Sequence, residues 1–455
     1  MRRDVVVMVP GILGSTLAHR GKLVWAPSAG AAMRAIRTFG RSLGALRLPE
    51  GIGDQEPDDG VEAVDVMPDL HVLPGIWTAN IGYSGLLREL ERRCNLTRPR
   101  SHVPNLIPFA YDWRLSNRVN GIRLGKRVSP ALERWRALGG EFADARLVFV
   151  CHSMGGLVAR WFVEMEGGAE VTRKIVTIGT PHRGALKALD QLVNGVRKGI
   201  GPLSLDLTEL ALSMPSMYEL LPQYACLEAA GGPLRRIGET SVPGLATTMM
   251  DDAARFHRDL DGAAAAHGAY DLHPIVGTRQ RTPTTARITG RSLHPLYRIG
   301  GGDERGDATV PRLSATPERL PPDSPSVRWV ADQHGALQHN SAVFDELERV
   351  LIAPSVIHRA SADLELEAQV AELVLAGEEI EVHASVDGGE RIALQADVAD
   401  ETGRPVTEIR LYEGQDGHRG VIEPLPPGAY QVIVRALDEA APVSPVTCAT
   451  LVWEQ

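Results

Sequence analysis

The sequence predicts an α/β chain: an open parallel sheet covered by helices, interrupted by a helical insertion and followed by a small all-β sandwich. Three observations carry this. Short apolar, β-branched runs alternate with helical patterns through most of the 455 residues, the βαβα order of a sheet buried on both faces. That rhythm stops between Gly184 and about Tyr270. After Leu351 it gives way to alternating apolar and polar positions separated by turn residues, as in an antiparallel sandwich.

The predicted sheet strands are Asp4–Val9, Asn105–Tyr111, Arg146–Val150, Arg173–Ile178, His273–Val276 and Val327–Ala331. Each is short, largely apolar and followed by a turn signal or a helical pattern. Helices are predicted at Tyr83–Arg93, Arg118–Leu138, Gly155–Glu166 and Ser341–Leu351. Ligands of such sheets bind beyond the carboxyl ends of the strands. The insertion, about 185–270, carries Leu-Pro and Met-Pro breaks and an Ala-rich tail, and reads as helical rather than as more sheet. A long insertion beside an active-site face is either a lid or an extra structural layer. Ala353-Pro354-Ser355 reads as a linker, which gives a first domain over 1–353 and a second over 361–455. The second has predicted strands at Ile380–Ala384, Glu390–Val398, Glu408–Tyr412, Ala429–Ala436 and Val446–Trp453, with turns at Asp387-Gly388-Gly389 and Pro426-Pro427-Gly428.

Composition narrows the function. The hydrophobic fraction of 44% is that of a globular chain with ample core. The net charge, 48 − 57 = −9, speaks against a partner held by phosphate neutralisation, so no nucleic acid is expected. Cys94, Cys151, Cys226 and Cys448 are scattered, without the spacing of a disulfide framework or a zinc site. The run Val5–Val9 is too short for a signal-peptide core and no segment has transmembrane length, so a cytoplasmic location is expected.

The strongest chemical feature is Leu147-Val148-Phe149-Val150-Cys151-His152-Ser153-Met154-Gly155-Gly156. An apolar strand enters a sharp turn with serine at its apex, and a helix follows; small flanking residues let the two backbones approach closely. Cys151 stands where glycine is usual, two residues before the serine. A serine hydroxyl is a weak nucleophile at neutral pH and needs a base and a group to orient that base. The order acid then histidine, each after a late strand, gives Asp307 in Gly306-Asp307-Ala308-Thr309 and His334 in Asp332-Gln333-His334-Gly335. Asp303 and His339 are the rivals. His152 is expected to pack or bond backbone. The oxyanion donors expected are the N–H groups of Met154, after the nucleophile, and Ile12 in Pro10-Gly11-Ile12-Leu13-Gly14. No P-loop, dinucleotide glycine pattern or HExxH is present, so no cofactor and no catalytic metal are expected.

Several segments together resemble the lecithin:cholesterol acyltransferase family of α/β-hydrolases, which includes lysosomal phospholipase A2-like enzymes. They are Val9–Ser15, Tyr111-Asp112-Trp113-Arg114, His152–Gly156 and Gly179-Thr180-Pro181-His182-Arg183-Gly184, then Met214-Pro215-Ser216, Leu220-Leu221-Pro222, Gly306-Asp307 with Thr309-Val310, and His334 with Leu337 and Asn340. The resemblance implies an α/β-hydrolase fold and an acyl-enzyme on Ser153, with Asp307 and His334 completing a triad and Ile12 and Met154 binding the oxyanion. It also implies a lid over a lipid-sized acyl pocket, a lipid or ester substrate, and transient membrane contact through that lid. The family's export signals and paired cysteines are missing here, and the segment after about Ser361 lies outside the resemblance. Asp112 and Arg114 are read as a buried ion pair with the Trp113 indole packed over it. The predicted activity is a serine esterase that hydrolyses or transfers acyl groups of glycerolipids. The alternatives are a non-catalytic scaffold that docks a protein partner through its sandwich, and an esterase for small soluble esters.

Overall fold

The computed structural model of the protein describes residues 3–26, 46–69, 82–98, 103–198, 205–229, 232–263, 270–352, 365–387, 392–401, 403–414, 417–438, 441, 443 and 445–453. The predicted linker at 353–355, the Gly388-Gly389 part of one turn and the end of the Ala-rich tail lie outside them.

Six parallel strands form the central sheet: β1 (Val5–Val9), β2 (Leu106–Pro108), β3 (Leu147–His152), β4 (Thr172–Ile178), β5 (Asp271–Thr278) and β6 (Arg328–Ala331). Their spatial order is β6-β5-β4-β3-β1-β2, and every pairing is parallel. All five residues of β1 and all six of β3 are buried, which explains their continuous apolar, β-branched sequence. Around the sheet lie α1 (Ser84–Cys94), α2 (Asn117–Arg136), α3 (Gly155–Met165), the insertion helices α4 (Leu186–Asn194), α5 (Thr208–Ser213), α6 (Pro215–Tyr218) and α7 (Thr247–Ala263), and finally α8 (Ser341–Ile352). Ser116 caps α2 by accepting from Val119 N at 3.2 Å. No described helix is long and apolar enough to cross a membrane.

Boundaries differ from the sequence reading where tertiary contacts intervene. The predicted strand Asn105–Tyr111 stops at Pro108, because Tyr111 turns away: its N–H bonds Ser15 Oγ and its hydroxyl donates to Pro10 O. The predicted β3 continues past Val150 through His152, and the predicted His273–Val276 strand extends at both ends, through Gly277 and Thr278 at the carboxyl end. Two short ribbons had no sequence signal in this reading: Ser15–His19 with Lys22–Trp25 and Val61–Val66, and Thr285–Thr289 with Ser292–Leu296. The insertion is mainly helical but also holds the pair Arg197–Lys198 and Leu205–Asp206.

The insertion is bolted to the segment Tyr111-Asp112-Trp113-Arg114. Ser216 Oγ donates to Trp113 O at 2.6 Å, and Glu219 Oε2 accepts from Asn117 N at the start of α2. His257 of α7 bonds Glu219 O at 2.7 Å. Arg114 is fully buried and pairs with both oxygens of Asp112, at 2.9 and 2.7 Å. The Trp113 indole does not cover that pair; it packs edge-on against Trp25 with its Nε1 on Ser15 O.

Among the described residues the C-terminal unit has eight strands: β7 (Glu365–Val370), β8 (Leu373–Leu375), β9 (Ile380–Asp387), β10 (Leu394–Asp400), β11 (Pro405–Gly414), β12 (Gly417–Ile422), β13 (Gly428–Ala436) and β14 (Val446–Trp453). They run in the order β7-β9-β12-β11-β10-β13-β14-β8 around one apolar core that includes Ile380, Val382, Ala396, Val432 and Val446. The long β11 pairs with β10 along its first part and with β12 through Tyr412–Gly414, so it passes from one layer to the other. The expectation of purely antiparallel pairing fails at one edge, where β8 runs parallel to the end of β14. There the chain adds a strand beside its own last strand without a hairpin.

Candidate active site

The carboxyl ends of β1, β3, β5 and β6 converge on Ser153. It directly follows β3, and its N–H is held by Ile178 O at the end of β4, at 2.9 Å. Its φ of 51° is left-handed, a conformation costly for a residue with a side chain and typical of strained functional turns. The tight turn depends on missing side chains. A Cβ on Gly155 would lie 2.5 Å from Val9 O and 2.4 Å from Pro10 O, and one on Gly156 would lie 2.3 Å from Thr180 Oγ1. Cys151 fills its place fully buried at the end of β3, so the small thiol fits where glycine is usual.

His334 follows β6 by three residues, and its Nε2 lies 2.9 Å from Ser153 Oγ. Its Nδ1 lies 2.7 Å from Asp307 Oδ2. The other carboxylate oxygen of Asp307 accepts from Thr309 N at 3.0 Å and Val310 N at 2.7 Å, so the acid cannot rotate away. His334 N also donates to Asp307 O at 2.8 Å, fastening the two loops by backbone as well as by side chain. Asp303 is elsewhere, capping an exposed turn through Arg305 N. His339 lies against the start of α1, where a Cβ on Gly85 would be 3.1 Å from its Nδ1.

Ile12 follows Gly11 in the loop after β1, and Met154 follows Ser153 at the amino end of α3. Gly11 touches the serine closely enough that a Cβ there would be 2.9 Å from Ser153 Cβ. Met154 is the N-cap of α3, whose amino end carries partial positive charge. Neither N–H has a hydrogen-bond partner among the described residues. The Ile12 and Leu13 side chains also line a small apolar cavity of about 30 Å³ with Trp25, Trp113, Met214 and Met217.

His152 does what was expected of it, bonding backbone. Tyr83 Oη accepts from Gly11 N at 2.8 Å, leaving its proton for His152 Nδ1, also at 2.8 Å. The other ring nitrogen, Nε2, then carries hydrogen and faces His334 O at 3.2 Å. Burial pushes this imidazole down to about 3, so it stays neutral. Tyr83 had no sequence signal. Two glycines were also missed. A Cβ on Gly277 would lie 2.4 Å from Asp307 Cβ, and one on Gly179 would lie 3.1 Å from Asp307 Oδ2 and 3.2 Å from His334 Nδ1. The isolated glycine in Ile275-Val276-Gly277-Thr278 was a legible sign of close backbone approach.

The family model of lecithin:cholesterol acyltransferase matches residues 102–232. Among solved structures, the chain is similar to the Bacillus licheniformis lipase BlEst2. In the propeptide form the identity is 11%, the match covers 99% of this chain and 93% of that one, and the TM-score is 0.37. In the mature form the figures are 12%, 76%, 91% and 0.35. CopC from Methylosinus trichosporium OB3b aligns over 19% of this chain and 90% of its own, at 18% identity and a TM-score of 0.16. No curated protein matches the chain. The span that this family model matches, residues 102–232, holds Tyr111–Arg114, the Ser153 turn and Gly179–Gly184.

Proposed function

We propose that the protein is a serine esterase that forms an acyl-enzyme on Ser153 and hydrolyses or transfers acyl groups of glycerolipids. The observation that carries this reading is the continuous relay Ser153 Oγ, His334 Nε2, His334 Nδ1, Asp307 Oδ2, with spacings of 2.9 and 2.7 Å. His334 takes the serine proton as Oγ attacks the ester carbonyl, and returns it to the departing alcohol. Asp307 holds Nδ1–H, which fixes the tautomer that leaves Nε2 as acceptor. The N–H groups of Ile12 and Met154 bind the negative oxygen of the tetrahedral intermediate. Water or a second alcohol then attacks the acyl-enzyme, and His334 serves again as base. The match to the lecithin:cholesterol acyltransferase family model over residues 102–232 supports a lipid acyl group as the substrate.

Ser153 and His334 are buried, at 5% and 3% exposure, so a lipid enters only when a neighbouring segment moves, a lid role that this reading gives to the insertion. Labelling by a fluorophosphonate tests the chemistry: the folded protein reacts and Ser153→Ala does not. A folded wild type that stays unlabelled sinks the reading. Chain-length preference on nitrophenyl esters tests the substrate class, and fastest turnover of acetyl esters would move it to small soluble esters.

A further inference from the structure

The C-terminal domain touches the loop that carries His334. Asp332 ends that approach from β6 and is buried. Its Oδ1 accepts from Gln333 N at 2.8 Å and from Thr447 N, on β14 of the other domain, at 3.2 Å. Its Oδ2 accepts from Asn340 Nδ2 at 2.7 Å, and Asn340 Oδ1 in turn accepts from Ala342 N at the start of α8. One carboxylate therefore ties the two ends of the loop 332–340 to each other and to the second domain. Next to it, Gln333 Nε2 reaches Cys448 Sγ at 3.1 Å. Thr447 is in register with Ile433 of β13, its N–H goes to Asp332, and the β8 register begins only at Leu451 of β14. Beside these contacts the two domains part around a cavity of about 460 Å³ lined by Ala336, His339, Gln431 and Ile433 among others.

From this juxtaposition we infer that Asp332 is a positioning residue, through which the β-sandwich holds the His334 loop in register with Ser153. The inference rests on the esterase reading of Ser153 and His334. His334 itself is pinned at three points, by Asp307 O, Asp307 Oδ2 and His152 Nε2. Asp332 closes the loop that presents it, and one of the three bonds to its carboxylate comes from 115 residues further along the chain. Burial pushes the Asp332 carboxyl up to about 7 against the pull of its three donors, Asn340, Gln333 and Thr447.

The test uses the full-length protein and a soluble nitrophenyl ester. Asp332→Ala lowers kcat by roughly ten- to a hundredfold with KM within about twofold, because a sub-ångström to 1 Å misplacement of a base acts on the transition state and not on binding. Asp332→Asn keeps an Oδ1 acceptor for Thr447 and Gln333, at the expense of the Asn340 contact, and restores most of that loss. Thr447→Pro deletes the interdomain donor alone and reproduces part of it; Gln333→Ala is the companion variant should the proline prevent the sandwich from folding. Folded variants with unchanged kcat overturn the inference, as does a loss in Asp332→Ala that asparagine fails to restore. An unreactive wild type would instead overturn the esterase reading, so the two failures are distinguishable.

Discussion

Replacing Gly277 by alanine puts a methyl group into the space that lets Asp307 approach β5. The added Cβ would lie 2.4 Å from Asp307 Cβ and 3.0 Å from Leu337 Cδ1, where ordinary contact begins near 3.4 Å. Asp307 must therefore retreat by about 3.4 − 2.4 = 1.0 Å, or the strand must shift by as much. The carboxylate cannot absorb this by rotation, since Oδ1 is held by Thr309 N and Val310 N. The 2.7 Å bond to His334 Nδ1 lengthens and the imidazole loses its orientation. Misplacement of that size costs on the order of a hundredfold in rate, about 2.7 kcal/mol of transition-state stabilisation. Complete loss of the acid sets the ceiling, about ten-thousandfold. Steady-state hydrolysis of a nitrophenyl ester measures kcat, and fluorophosphonate titration of the same sample counts competent sites. A Gly277→Ala protein that retains kcat within about twofold would refute the assignment of Asp307 as the orienting acid.

Two further outcomes follow from buried charge. Arg114→Met leaves the Asp112 carboxylate buried without its bidentate partner and lowers stability by about 3–5 kcal/mol in urea unfolding, whereas Asp112→Ala combined with Arg114→Met loses less than the two single changes added together. His152 and His257 are held neutral by burial, at about 3 and about 4, against 6.5 when unfolded. The unfolded chain thus binds more protons between those limits, so stability is full above about pH 6.5 and is lost as pH falls towards 3; His257 alone accounts for on the order of 3 kcal/mol. The thermal midpoint is expected to drop between pH 7 and 5, less steeply in His257→Gln, and equal slopes in the two proteins would contradict this.

The site was more legible than the elements that shape it. Ser153 could be read because a buried strand, a serine and two glycines are contiguous, and His334 and Asp307 because their order after late strands constrains the choice. Asp303 and His339 were separable only by geometry: both sit a few residues from the right place, and spacing alone cannot tell which way a loop turns. Tyr83 and Asp332 left no trace in the pattern, since each acts through a backbone N–H far away in sequence. Helix and strand cores were legible from period and β-branching, but strand ends were set by side-chain contacts such as Tyr111 to Pro10 and Ser15. The pairing of 15–19 with 61–66 escaped because it joins positions 42–51 residues apart. In the C-terminal domain, β8 escaped for a similar reason, since it pairs with β14 almost 80 residues further on, Leu373 opposite Leu451.

The reach from Asp332 to Thr447 has a bearing on how the protein is made. Synthesis at about 5–20 residues per second separates the emergence of those two residues by roughly 6–23 seconds. Over that interval the nascent first domain has its serine, acid and imidazole in hand while the strap from β14 is still to be translated. A chain translated only through the first domain therefore lacks the bond that β14 brings to the His334 loop.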